Sequence, residues 1–276
     1  MLAKIIRAIV AILIMTLLTV LLLEGVLWFI DPMGIATYVT DLSSMVTIAN
    51  AEGFTLPPGR HDLRYWSYTV NESGDRIMPP SDGACTLAFV GDSLTFGQGV
   101  NDMDTFAYRI AQQYPDVRFL NLAKIAYNIG NVRTVVESHP AEGYIYYIAD
   151  NDDGLSWARP ESEWGQPREL PPRLSALRYY VATLQEMNAP AITDPDGFWR
   201  DFDALESRGD VLMFAMGSTL ADDIQAREPD ITVIPRWSVD LKVSWIDWHP
   251  NPAGHQYLID AMQPEIAAFV ASRCSM

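Results

Sequence analysis

Hydrophobic positions fall into two regimes along the chain. The first is a single block. After Lys4 and Arg7, residues 8–23 carry no charge, and residues 25–30 resume the apolar run beyond Glu24. A bilayer core needs about 20 helical residues to cross, and residues 5–30 supply that length. The run is longer than a signal-peptide apolar region, and no small-x-small cleavage site follows it, so residues 1–30 are expected to form an uncleaved signal anchor. The basic flank then stays in the cytoplasm, and everything after Asp31 faces the periplasm or exterior.

The second regime begins at Cys85. Short apolar runs at 86–90, 117–122, 144–149, 211–216 and 231–235 read as buried strands. Helical patterns lie between or after them, at 106–113, 131–138, within 171–187, and at 198–207, 220–227 and 252–272. Strands alternating with helices predict a parallel sheet covered on both faces, a three-layer α/β/α domain. Residues 31–84 read differently. They hold the turn clusters Pro57-Pro58-Gly59, Asn71-Glu72-Ser73-Gly74 and Pro79-Pro80-Ser81-Asp82-Gly83, with one short strand expected at 64–70. This segment is expected to be a stalk and docking segment rather than a domain.

Composition narrows the function. Among 276 residues, 35 Asp and Glu stand against 19 Lys and Arg, a formal charge of −16. A chain this acidic, with no basic stripe, repels phosphate backbones, which argues against nucleic acid as a partner. Two cysteines exclude a disulfide-framework mini-protein and a cysteine-rich zinc fold. Outside the cytoplasm they are free to pair. Cys85 opens the first strand, and the closing helix runs antiparallel to the strands, so Cys274 returns to the same edge of the sheet.

The candidate chemistry follows from chain order. The first strand of the domain runs directly into Gly91-Asp92-Ser93-Leu94. Ligands of doubly wound sheets bind outside the carboxyl ends of the strands, where Ser93 is placed. A serine nucleophile needs a base, an orienter for that base, and donors for the oxyanion. Other strand ends offer them. Asn151 follows the third strand, His249 follows the fifth, Asp247 stands two residues before His249, and the turn 123–130 follows the second. Asp92 is expected to brace its turn rather than to react. Asp150, Asp152 and Asp153 read as a solvated loop or an Asx-turn, and lack EF-hand spacing. Trp245 and Trp248 flank the His249 loop and fit either a pocket wall or the core.

GDSLTFGQGVNDMDTF, DWHPNPAGH and the earlier YTVNESGDR together resemble the SGNH (GDSL-type) hydrolase family, in particular its bacterial membrane-anchored members. The resemblance covers residues 85–276, read as the catalytic domain. It implies a flavodoxin-like five-stranded parallel sheet and ester hydrolysis without metal or cofactor. It further implies Ser93 as nucleophile and first oxyanion donor, Asn151 as side-chain donor and His249 as base. Ala126 falls where the family usually has glycine, so its backbone N–H is expected to serve in a weakened or altered oxyanion hole. The triad aspartate usually stands three residues before the histidine; that position is Ile246, and Asp247 is expected to take the role, with Asp240 as the other candidate.

The expected activity is that of a serine esterase removing a short acyl group, such as acetyl, from an envelope or exported polysaccharide. The bacterial cytoplasmic membrane is the expected location, with the lipid bilayer as a partner through the N-terminal helix. O-acyl transfer to sugar, lipase or lysophospholipase activity, and an inactive carbohydrate-binding module are the alternatives the same residues allow.

Overall fold

The structure, a computed structural model, describes residues 2–31, 48–154, 177, 181, 193–245 and 247–274. Most of the helix expected within 171–187, and Ile246, lie outside the described residues. The chain begins with α1 (Leu2–Gly25), which continues as a π-helical turn, Val26–Ile30. Residues Lys4–Ile30 make a helix long and apolar enough to cross a membrane, by length and composition, and none of its apolar window is buried.

Two antiparallel hairpins follow. β1 (Ile48–Asn50) pairs with β2 (Gly53–Thr55), and β3 (Gly59–Asp62) pairs with β4 (Ser67–Val70). Only the second strand of the second hairpin was legible in sequence. Tyr68 and Val70 alternate inward with period two, whereas its partner Gly-Arg-His-Asp carries no apolar residue to reveal it.

The domain proper runs β5 (Cys85–Gly91), the short α2 (Ser93–Phe96), α3 (Phe106–Ala111), β6 (Val117–Asn121), α4 (Ile129–Ser138) and β7 (Gly143–Ile148). It continues with α5 (Pro195–Glu206), β8 (Val211–Met216), α6 (Thr219–Arg227), β9 (Thr232–Ile234) and α7 (Pro252–Arg273). The five strands β5–β9 form one parallel sheet in the order β6-β5-β7-β8-β9. The three-layer α/β/α architecture expected from the alternation is therefore present, in flavodoxin-like order. The strand order reverses at β5, so the carboxyl end of that strand is the topological switch point where such sheets hold ligands.

Alternation along β5 feeds two cores. Leu87 and Phe89 pack with Phe106 and Ile110 of α3 and with Leu258, Met262, Ile266 and Val270 of α7, a run spaced by four. Ala88 and Val90 pack on the other face with Ile129, Val132 and Val136 of α4 and Phe198 and Phe202 of α5. Cys85 and Cys274 are disulfide-bonded, with Cα atoms 5.5 Å apart. The bond fastens the end of α7 to the first strand of the sheet across 189 residues of sequence, a loop whose closure is worth about 5 kcal/mol by chain entropy.

The hairpin segment is fastened to residues that follow β5 and β6. Leu56, Trp66, Tyr68 and Val70 form a third apolar cluster with Phe96 and Ala123. Arg76, fully buried, donates from Nε to Asp102 Oδ1 (2.9 Å), from Nη1 to the carbonyls of Phe96 (2.7 Å) and Gly97 (2.6 Å), and from Nη2 to that of Val100 (2.7 Å). Its guanidinium lies over the rings of Phe96 and Trp66. Lys124 Nζ, also buried, pairs with Asp75 Oδ1 at 3.0 Å. The Asp75-Arg76 dipeptide thus holds the loops after β5 and β6, both of which carry candidate site residues.

Candidate active site

Local chemistry fixes the turn that carries Ser93. Gly91 has φ +144, and a Cβ there would stand 2.6 Å from Thr95 Oγ1, so the strand can leave the sheet only through glycine. Asp92 caps α2, its Oδ1 accepting from Leu94 N at 2.8 Å. Ser93 is the first residue of that helix. Its hydroxyl has two acceptors within reach: His249 Nε2 at 2.8 Å and Asp92 Oδ2 at 3.3 Å. The second distance is long for an O–H···O bond, so the proton belongs to the histidine contact.

Asp247 Oδ1 accepts from His249 Nδ1 (2.5 Å) and from the His249 backbone N–H (3.2 Å). This is an Asx-type turn, which is how a carboxylate only two residues before the histidine reaches its ring. A carboxylate only accepts, so Nδ1 carries the proton and Nε2 is left to receive one from Ser93. The loop is closed below by Val243 N→His249 O (2.8 Å) and Asp247 N→Ser244 Oγ (3.0 Å). Asn251 caps α7, accepting from Ala253 N and Gly254 N at 3.0 Å each, with Pro252 at the first helical position. A Cβ on Gly254 would meet Leu241 O at 2.4 Å. His255 Nδ1 accepts from Phe106 N (3.1 Å), and burial pushes its pKa well below the ordinary histidine value, so it is a neutral packing residue. Asp240 instead offers its backbone carbonyl to Asn251 Nδ2.

Trp248 stacks on the His249 ring, with centroids 5.0 Å apart and planes 16° apart. Trp237 stacks on Trp248 in turn and donates to its carbonyl from Nε1 at 3.0 Å. Trp248 therefore belongs to the packing that holds the imidazole, whereas Trp245 is exposed at the loop tip.

Ala126 has φ +65, in the left-handed region that favours glycine. Tyr127 N→Lys124 O (3.3 Å) closes a turn over 124–127, and Ala126 is its third residue, where a type II turn requires positive φ. Lys124 N→Gly91 O (3.2 Å) and the Lys124–Asp75 pair hold the turn in place. The conformation costs an alanine about 1–2 kcal/mol. Ala126→Gly is accordingly expected to stabilise the protein by about 1 kcal/mol, net of the added chain entropy, as read from chemical denaturation, while leaving the N–H where it is. The backbone N–H groups of Ser93 and Ala126 donate to no described residue. Asn151 stands in the turn after β7, its Oδ1 buried and without a partner among the described residues.

Two buried acids, Asp92 and Asp152, interact electrostatically at this site. Burial pushes Asp92 up, to about 6, against the hydrogen bond from Leu94 and the proximity of His249. Asp152 accepts at Oδ2 from Tyr146 OH (2.7 Å) and Ala149 N (2.9 Å). Burial first, then the charge of Asp92, hold its carboxyl well above the usual range. A carboxyl raised by folding contributes its full stability below its unfolded value of about 3.9 and loses it as pH climbs through the folded value. Asp152→Asn is therefore expected to leave the melting temperature nearly unchanged at pH 4 and to raise it at pH 8, in melts run at both. Of the other loop aspartates, Asp150 pairs with Arg236. Among the described residues, no three His, Cys, Asp or Glu side chains converge as metal ligands would.

No family model and no curated protein matches the sequence. Among solved structures, the chain is similar to a lipolytic protein of the G-D-S-L family from Veillonella parvula, at 12% identity over 67% of this chain and 99% of that one, TM-score 0.39. It is also similar to the acetylxylan esterase Axe2 from Geobacillus stearothermophilus, at 16% identity over 68% and 96%, TM-score 0.39. A third is a family two carbohydrate esterase from Clostridium thermocellum in complex with cellohexaose, at 14% identity over 72% and 68%, TM-score 0.38. The architecture of this chain rests on its own strand order, and the site on its own distances.

Proposed function

We propose that the protein is a serine esterase. The observation that carries the reading is the unbroken chain Ser93 Oγ–His249 Nε2 (2.8 Å) and His249 Nδ1–Asp247 Oδ1 (2.5 Å) at the switch point of the sheet. Ser93 Oγ attacks the ester carbonyl as His249 Nε2 takes its proton. Asp247 keeps the ring in the required tautomer and stabilises the imidazolium. The negative oxygen of the tetrahedral intermediate is received by the N–H groups of Ser93 and Ala126 and the amide of Asn151. Collapse expels the alcohol with the proton from His249. Water, deprotonated by the same nitrogen, then attacks the acyl-serine and releases the carboxylic acid.

The substrate half of the proposal is a short acyl ester on an envelope or exported polysaccharide. It is supported by the motif resemblance to membrane-anchored SGNH hydrolases, and by the N-terminal span, which would place the domain outside the cytoplasmic membrane. Full-length protein in detergent is expected to release acetate from an O-acetylated polysaccharide and to prefer p-nitrophenyl acetate over the octanoate, with both rates lost in Ser93→Ala. Faster turnover of the octanoate with no acetate release would favour a lipase instead.

A further inference from the structure

We propose that Asp152 and Tyr146 are positioning residues that fix the Asn151 amide, and with it the outer half of the oxyanion site, through the single carboxyl oxygen Oδ2 of Asp152. The inference rests on the esterase reading above and names residues that reading does not use.

Asn151 stands inside a turn that Asp152 closes twice. Asp152 N donates to Ala149 O (3.4 Å), and Ala149 N donates back to Asp152 Oδ2 (2.9 Å). The Tyr146 hydroxyl reaches the same oxygen from within β7 (2.7 Å), so the turn is tied to the sheet at one atom. Tyr146 and Asp152 are both buried. The turn is then tied sideways to the neighbouring donor. Ile129 N donates to Asp152 O (3.4 Å), and Asn128 Nδ2 to Gly154 O (3.0 Å), from three and two residues beyond Ala126. Displacing the Asp152 carboxyl would therefore move Asn151 relative to Ala126, and oxyanion donors lose their worth when misplaced by a fraction of an ångström.

The carboxyl is used asymmetrically. Oδ2 accepts both hydrogen bonds, while Oδ1 is buried with no partner among the described residues. Oδ2 alone therefore makes the contacts, each of which a carbonyl oxygen can accept, and burial, the first cause, raises the Asp152 pKa. Asparagine offers the same carbonyl acceptor and should substitute for it, whereas alanine should not.

The test is steady-state hydrolysis of p-nitrophenyl acetate by the full-length protein in detergent. Asp152→Ala is expected to lower kcat about 10–30-fold with KM within about twofold, and Tyr146→Phe about 3–5-fold, while Asp152→Asn stays within about threefold of the parent. In an Asn151→Ala background, Asp152→Ala should cost less than about twofold, because the group it positions is gone. Equal losses in both backgrounds, no loss in either, or an Asp152→Asn rate as low as that of Asp152→Ala would overturn the inference. If Asp152→Ala does not fold, Tyr146→Phe in the two backgrounds decides in the same way. A parent that hydrolyses no ester overturns the esterase reading and this inference together; an active parent indifferent to Asp152 overturns this inference alone.

Discussion

Replacing His249 with alanine is expected to lower kcat/KM for p-nitrophenyl acetate by about a thousandfold or more, with little change in folding stability. A serine hydroxyl is a weak nucleophile at neutral pH, and His249 Nε2, at 2.8 Å, is the acceptor placed to take its proton. The loop should survive the change. Its closing bonds, Val243 N→His249 O and Asp247 N→Ser244 Oγ, do not use the imidazole. Residual activity should come from the oxyanion donors, which remain. Asp247→Ala should fall in the same direction, since it leaves the ring free to adopt the wrong tautomer. Kinetics of the two variants beside thermal melts separate lost chemistry from lost structure.

Arg76→Met is expected to cost about 3–5 kcal/mol, enough to leave little of the 5–15 kcal/mol that a domain typically has. The guanidinium is fully buried and satisfies three carbonyls and one carboxylate at 2.6–2.9 Å. Methionine restores the volume but abandons all four acceptors, including the charge of Asp102. Arg76→Lys should recover only part of the loss, because one ammonium cannot reproduce a planar fork. Since three of the four acceptors lie on residues 96–100, just after Ser93, partial unfolding should also appear as lost esterase activity. Guanidinium chloride unfolding of the parent and both variants gives the ordering.

The alternation of apolar runs with helical patterns was enough to place the five-stranded sheet, because parallel strands buried on both faces read as uninterrupted apolar segments. The candidate triad was legible for a different reason: Ser93, Asp247 and His249 lie in loops at the carboxyl ends of strands, where chain order alone predicts convergence. What stayed hidden depends on side chains acting far from their own element. Arg76 and Asp75 were visible only as part of YTVNESGDR, and nothing in that string says that a charged pair would be buried. Tyr146 lies in a run, Gly143–Ile148, that reads as plain core. Its hydroxyl needed a buried partner, and Asp152, six residues on, looked like one of several solvated loop acids. Ala126 was identified as a departure from glycine, but only the turn closed by Lys124 and Tyr127 explains how an alanine is held at positive φ.

The most direct test of the serine-esterase proposal is covalent labelling of the full-length protein with a fluorophosphonate, followed by peptide mass spectrometry. The predicted result is one label per chain, on Ser93, absent in Ser93→Ala and formed far more slowly in His249→Ala. No label, or a label that persists in Ser93→Ala, would contradict the assignment of Ser93 as the nucleophile.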